Sequence, residues 1–289
     1  MDKAEWNENA GHPMQSFEWG EFREKMGNKV SRIGLFQIIW SKLPLGLWFG
    51  YCPMSEMPSE ADLKKFKGGV GVRFEPNVIK DSRFKVQDSM VPGRHLFKPK
   101  TYWMNLSLSE EDLLKNMTPK CRYNIRLAQK HGIVVKEGNV EDYLRLIRKT
   151  INRQKIYAHG EKYHRELSKI PWTKLFEARY KDVVVASWMI FVWKDFIYYA
   201  YGAFDDEYKN LMAPVLGLWE IAKWGKKNGY KTFDLWGAEE GKGYTRFKEQ
   251  FGPKLVEMAG TYDLPVSRWY PVFRIAEEVR WKILRMLKT

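Results

Sequence analysis

Cysteine is scarce: Cys52 and Cys121 are the only two. They lie far apart in the chain, which excludes a disulfide framework and leaves no zinc-type ligand spacing. No apolar run approaches the roughly 20 residues that span a bilayer. The opening MDKAEWNENAGHP is too polar for a secretory leader, so the expected compartment is the cytoplasm. A heptad-patterned insertion is missing, which excludes a protruding coiled-coil arm. Short repeats, low-complexity tracts and an obvious linker are absent too. No arrangement of serine or cysteine with a base suggests a covalent nucleophile.

What is abundant is positive charge and aromatic side chains. Lys and Arg number 49 against 35 Asp and Glu, a formal net charge of +14, and 13 tryptophans contribute to an aromatic fraction of 15%. Such an excess favours polyanionic partners, whether nucleic acid, an anionic membrane surface or a phosphorylated substrate. It is also compatible with a merely basic soluble protein. A chain of 289 residues is long for one domain and comfortable for two, and can bury roughly 75% of its unfolded surface.

Local signals give the order of elements. Gln15 to Met26 reads as a helix ended by Gly27. Residues 30–40 and 47–52, rich in β-branched and aromatic side chains, read as a hairpin across SKLPLG. A short helix over 59–66 and a strand in GVGVRFEP follow, with another strand near Trp103 to Leu106. Ser109 with Asp112 caps one helix, Thr118-Pro119 opens a second that His131-Gly132 closes, and Asn139 starts a third running to about Asn152. Residues 183–193 and 196–204 form a second strand pair joined by Lys194-Asp195. Pro214 to Asn228 is a helix stopped by Gly229, and TFDLWG a strand. Strand pairs thus alternate with helices twice, which predicts an α/β or α+β fold of two related domains with a boundary near Leu108.

The most informative segment is GYTRFKEQFG, Gly243 to Gly252. Its Phe-Lys pair, two residues before Phe-Gly, resembles the signature of the FemABX peptidyltransferases. QSFEWGEFREKMG is similar to that family's N-terminal Gln-Ser-x-x-Trp-Gly motif. TPKCRYNIRLAQKHGIVV resembles its Arg-rich helix with the Gly and strand that follow. MAPVLGLWEIAKWGKKNGYKTFDLWG resembles its Ala-Pro helix and next strand. The four occur in family order from Gln15 to about Tyr262. The resemblance implies two acetyltransferase-like (GNAT-like) domains, residues 1–107 completed by 261–289, and residues 108–260. It also implies aminoacyl-tRNA as co-substrate, with no other cofactor and no metal. The implied acceptor is lipid II or a nucleotide-linked muropeptide.

Carried over residue by residue, the resemblance makes Lys248 the functional lysine and Phe247 its aromatic neighbour. Glu75, in RFEP, falls where family members place an acidic residue and is a candidate general base. Tyr163 and Tyr201 match acceptor-holding positions. His159 falls near an acceptor-binding arginine of one branch, and Glu21 replaces a lysine of that branch, with Arg23 two residues on. These departures favour a lipid-linked acceptor over a nucleotide-linked one. The chemistry asks for alignment, charge at the oxyanion and the handling of one proton. Lys248 would supply the charge. A lysine on a helix is otherwise a solvated side chain, and Glu75 is otherwise one half of a structural salt bridge.

Two basic surfaces can be read directly. Arg122, Arg126 and Lys130 recur every four residues and form one helical stripe, suited to tRNA phosphates or a lipid-carrier pyrophosphate, or simply solvated. From Pro271 onward, Val272, Ile275, Ala276, Val279, Ile283, Met286 and Leu287 share one side of a helix, with Arg274, Lys282, Arg285 and Lys288 elsewhere. Such a helix suits an anionic bilayer at the inner face of the plasma membrane. Alternatively the resemblance packs this segment on the first domain, its apolar side becoming core. Two competing functions remain: an acyl-CoA-dependent N-acyltransferase on the same fold, and a non-catalytic tRNA- or membrane-binding module. Against coenzyme A stands YKNLMAPVLG, where a Gly-rich pyrophosphate turn would be expected. The second reading leaves the Lys248 signature unexplained.

Overall fold

The computed structural model of the protein describes residues 1–81, 85–154 and 159–286. The chain divides into two compact units, Met1–Phe97 with Met258–Thr289, and Lys98–Glu257. The boundary falls earlier than Leu108 because the strand over Lys100–Asn105 pairs within the second sheet.

The first unit opens with helices α1 (Lys3–Asn9) and α2 (Phe17–Lys25), the latter capped by Ser16. Strands β1 (Lys29–Ile33), β2 (Phe36–Lys42) and β3 (Trp48–Pro53) follow, then helix α3 (Glu60–Leu63) and strands β4 (Gly71–Glu75) and β5 (Val91–Pro92). The stretch 30–40, expected as one strand, is two strands. Gly34 takes φ +59 and turns the chain back on itself. The second unit contains β6 (Lys100–Asn105), α4 (Glu110–Asn116), α5 (Pro119–Lys130), β7 (Ile133–Glu137), α6 (Val140–Gln154) and α7 (Glu161–Leu167). It continues with β8 (Thr173–Tyr180), β9 (Val183–Trp193), β10 (Phe196–Phe204), α8 (Ala213–Lys227), β11 (Thr232–Ala238), α9 (Gly243–Glu249) and β12 (Lys254–Glu257). The chain then returns to the first unit with β13 (Tyr262–Pro265) and α10 (Tyr270–Met286).

Both sheets are mixed. The first runs β1-β2-β3-β4-β13-β5 and the second β12-β6-β11-β10-β9-β8-β7. Each has one parallel pair, β3 with β4 and β10 with β11, set among antiparallel neighbours. In each unit a hairpin leads through a helix to the parallel strand, whose other edge meets an antiparallel strand from elsewhere in the chain. That strand is β13 in the first unit and β6 in the second. The fold is α+β and GNAT-like, and no helix among the described residues exceeds the 17 residues of α10. None is long and apolar enough to cross a membrane.

The apolar run of β9 is explained by cover on both faces, α8 on one and α6 on the other. Two helix glycines let α8 sit close. A Cβ at Gly217 would collide with the Trp188 ring, and one at Gly225 with Ile197. Contacts of this kind offset the roughly 0.5–1 kcal/mol that a mid-helix glycine costs. In the first unit Phe36, Phe66 and Phe74 meet edge to face at 5.1–6.0 Å.

Helix α10 packs in the first unit, but not through the stripe the sequence suggested. Phe273 stacks on Phe49 at 4.1 Å, Tyr270 is buried, and Trp281 lies under Arg94. Buried Arg73, on β4, pairs with Asp263 at 2.7 Å and Glu277 at 2.7 Å. Burial disfavours the Arg73 charge, yet its two carboxylates more than compensate and raise its pKa. Val272, Ile275, Val279 and Ile283 remain exposed. Leu287, Lys288 and the Arg285 side chain lie outside the described residues.

Candidate active site

Strands β10 and β11 run side by side only over Phe196–Tyr198 and Thr232–Asp234. Beyond Tyr198 and Asp234 they part, β10 staying with β9 and β11 with β6. Both strands are irregular at the fork, between Tyr199 and Tyr201 and between Asp234 and Gly237. A crevice at the carboxyl ends of a parallel pair is where open α/β sheets hold ligands.

Asp234 builds one arm of the fork. The strand TFDLWG places Phe233 and Leu235 in the core and turns Asp234 to the other face. There its carboxylate accepts from Thr101 Oγ1, from Trp103 Nε1 at 3.0 Å and from the Trp236 amide at 2.7 Å. The last bond holds Trp236 at φ +65, unusual for a side chain of that size. Burial raises the pKa of Asp234 against the pull of these donors.

The bulge turns two carbonyls toward Lys248. Its Nζ donates to Trp236 O at 3.1 Å and Gly237 O at 2.7 Å, leaving one proton of an ammonium without an acceptor among the described residues. Lys248 is 8% exposed. Burial pulls its pKa down to about 8, with the Asp234 charge working in the opposite direction. Lys248 is therefore not a solvated helix lysine.

The rest of the signature explains how α9 is fixed. Thr245 Oγ1 donates to Glu239 O and accepts from Glu239 N, and Tyr102 donates to Glu249 at 2.6 Å. Half-buried Phe247 meets buried Phe251 edge-on at 5.7 Å. Gly252 sits at φ +66 against the Asn116 carbonyl, where a Cβ would collide. On the fork's face Trp103, Phe196, Tyr198 and Trp236 form a chain of ring contacts at 5.3–5.8 Å.

Tyr163 and Tyr201 come together around a residue that sequence reasoning missed. His164 is buried between them, 5.6 Å from the Tyr163 ring and 4.9 Å from Tyr201, and His159 stacks on Tyr163 at 3.7 Å. His164 Nδ1 shares a proton with Tyr143 at 3.1 Å, while Nε2 is buried without a hydrogen-bond partner among the described residues. Burial lowers its pKa to about 4. Its position on the buried face of α7, beside matched Tyr163, is the one signal that the sequence offered.

The remaining candidates are engaged differently. Glu75 is buried at the end of β4 and accepts from Tyr51 at 2.6 Å, the Leu96 and Phe97 amides and Thr261. That is a hydrogen-bonded anchor for the chain at 96–97, not a salt bridge. Arg23, in the same unit, grips Asn28 through Nε and a terminal nitrogen. Arg122 caps the end of α4 through the carbonyls of Leu114 and Met117, whereas Arg126 and Lys130 are exposed. A separate cavity of about 690 Å³, lined by Val135, Phe176, Lys223 and Trp224 among others, contains none of these residues.

The sequence model of the FemAB family matches residues 100–170 and 168–278. The chain belongs to the FemAB family. Members of the family are aminoacyltransferases, and the fork with Lys248 lies inside the matched region. No curated protein matches the chain. Among solved structures, the crystal structure of FemX aligns at a TM-score of 0.77 with 14% identity, over 95% of this chain and 98% of FemX. The C-terminal domain of a putative lysylphosphatidylglycerol synthetase from Agrobacterium fabrum aligns at 0.60 with 13% identity, over 96% and 97%. L-PGS from Bacillus licheniformis aligns at 0.57 with 15% identity, over 89% of each chain. At such identities these structures share the FemAB protein's fold.

Proposed function

We propose that this FemAB protein moves an aminoacyl group from aminoacyl-tRNA to an amine in the peptide stem of a lipid II-like cell-wall precursor. The observation that carries the reading is Lys248. It stands in the family signature, is buried at the fork, and has an amine drawn down to about 8. The acceptor amine attacks the ester carbonyl, forming the C–N bond and an oxyanion. Collapse breaks the C–O bond to the terminal ribose, the amine loses a proton and the ribose oxygen gains one. With two protons held by carbonyls, the third N–H of Lys248 serves the oxyanion or the departing oxygen. A pKa near 8 suits proton transfer close to neutrality. The partly exposed rings of Trp103 and Trp236, backed by buried Tyr198, offer faces on which the terminal adenine can stack. Tyr163 and Tyr201 are the proposed acceptor contacts, His164 fixing their spacing.

The coenzyme A alternative is weakened at the start of α8. Pro214 has no N–H there, and Met212 at the cap is left-handed with no side-chain capping bond. The synthetase-like folds favour one competitor, transfer to the hydroxyl of a phosphatidylglycerol-type lipid. The test is incubation with radiolabelled aminoacyl-tRNAs and three acceptors: lipid II, nucleotide-linked muropeptide and phosphatidylglycerol. Label in the lipid II stem supports the proposal. Label in phosphatidylglycerol alone, or in none of the three, overturns it.

A further inference from the structure

Helix α10 has two faces with different fates. At about 100° per residue, Tyr270, Phe273, Glu277 and Trp281 lie on one side, the side that engages Phe49, Arg73 and Arg94. Val272, Ile275, Val279 and Ile283 lie opposite and are exposed, Ile275 by 65%. Apolar residues repeating along a helix usually mark its buried face, yet here the docked side is the polar-aromatic one. A stripe exposed in this way is a surface for something outside the chain.

A second element adds to it. The turn between β2 and β3 projects Leu45, which is 90% exposed at φ +60. Its neighbours Leu43 and Leu47 pack in the same cluster as Phe49, Tyr270 and Phe273, so Leu45 stands beside the first turn of α10. Lys42, close by in sequence, is exposed.

The charges identify the occupant. Exposed Arg280 and Lys282 flank the stripe on its two sides, and neither forms an ion pair with a described residue. Exposed Arg268 and Trp269 precede the helix. Among the described residues of α10, Glu278 is the one exposed acid, since Glu277 is spent on Arg73. A second copy docking face to face would set these cations against each other. A bilayer with anionic headgroups accepts the apolar stripe below the headgroups and the cations at their level. We infer that α10 and the Leu45 turn form a docking surface for an anionic lipid bilayer.

The experiment is co-sedimentation of the full chain with phosphatidylcholine vesicles, with and without phosphatidylglycerol, in the absence of any cell-wall precursor. The outcome is thus independent of the proposed transfer reaction. Wild type should pellet with the anionic vesicles, less so at high salt. Ile275→Glu with Val279→Glu should weaken binding about tenfold or more, because two apolar side chains no longer leave water. Arg280→Gln with Lys282→Gln should remove much of the preference for phosphatidylglycerol. Thermal melts should match wild type, as all four side chains are exposed. No pelleting by wild type, or equal pelleting by wild type and the glutamate variant, overturns the inference. So does a wild-type dimer in sedimentation equilibrium that the glutamate variant abolishes.

Discussion

Glu75 and Asp234 are counterparts in the two units. Each is the last paired residue of the second strand of its unit's parallel pair, opposite Pro53 and Tyr198. Each accepts a hydrogen bond from a threonine of the neighbouring antiparallel segment, Thr261 for Glu75 and Thr101 for Asp234. They differ in company. Asp234 feels the charge of Lys248, while the donors on Glu75 are a tyrosine, a threonine and two backbone amides.

Four hydrogen bonds tie the Glu75 carboxylate to Tyr51, Thr261 and the chain at 96–97. Glu75→Gln should therefore act on stability. It turns one acceptor oxygen into a donor facing donors, at a cost of about 1–3 kcal/mol. A lower denaturation midpoint with turnover within a few-fold of wild type is expected. Turnover lost at an unchanged midpoint would instead make Glu75 the base.

Lys248→Met should reduce transfer about 100-fold or more, since it removes a preorganised charge, and should also destabilise by leaving two carbonyls without donors. The pH profile separates the charge from its support. If the ammonium is the working form, the rate should fall above pH of about 8 as Lys248 loses its proton. Lys248→Arg should shift that fall to higher pH. A wild-type rate that climbs through pH 8 and stays high would assign the neutral amine instead.

The basic stripe on α5 should split under mutation. Arg122→Gln removes a cap from α4 and should lower stability by roughly 0.5–2 kcal/mol. Arg126→Gln with Lys130→Gln should leave the melt unchanged, weaken tRNA binding and flatten its salt dependence, as fewer counterions are released. An unchanged salt slope would return both residues to a solvated face.

Acid should unfold the protein through its buried histidines. Burial holds His12 at about 3 and His164 at about 4, while unfolded rings take up protons below about 6.5. Their contribution is complete above that pH and is lost as the pH falls toward about 4 for His164 and about 3 for His12. Urea midpoints at pH 7 and pH 5 should differ measurably. His12→Asn, which keeps an acceptor for the Met14 amide, should narrow the gap.

Much of this was legible in the sequence, for identifiable reasons. The runs 183–193 and 196–204 are β9 and β10 to the residue, because β-branched and aromatic residues bounded by a turn leave little choice. Lys248 was legible only through its motif, since its burial depends on the bulge at Trp236. Asp234 went unread although an Asp inside an apolar strand pattern is itself a signal. Arg122 was assigned to the stripe by periodicity, which says nothing of the α4 carbonyls beside it. The face of α10 was misjudged for a related reason. The residues that dock it, Arg73 and Phe49, are far away in sequence.

The path of the chain has a bearing on how the protein is made. The second unit is one continuous segment, Lys98–Glu257, whereas the first lacks β13 and α10 until its last residues arrive. During synthesis β4 therefore leaves the ribosome long before Asp263 and Glu277 can neutralise Arg73. A buried guanidinium without its carboxylates is strongly unfavourable, so the first sheet should close last, after its younger neighbour has folded. A released chain that stops after Glu257 should show a protease-resistant second unit and a first unit that is still digestible.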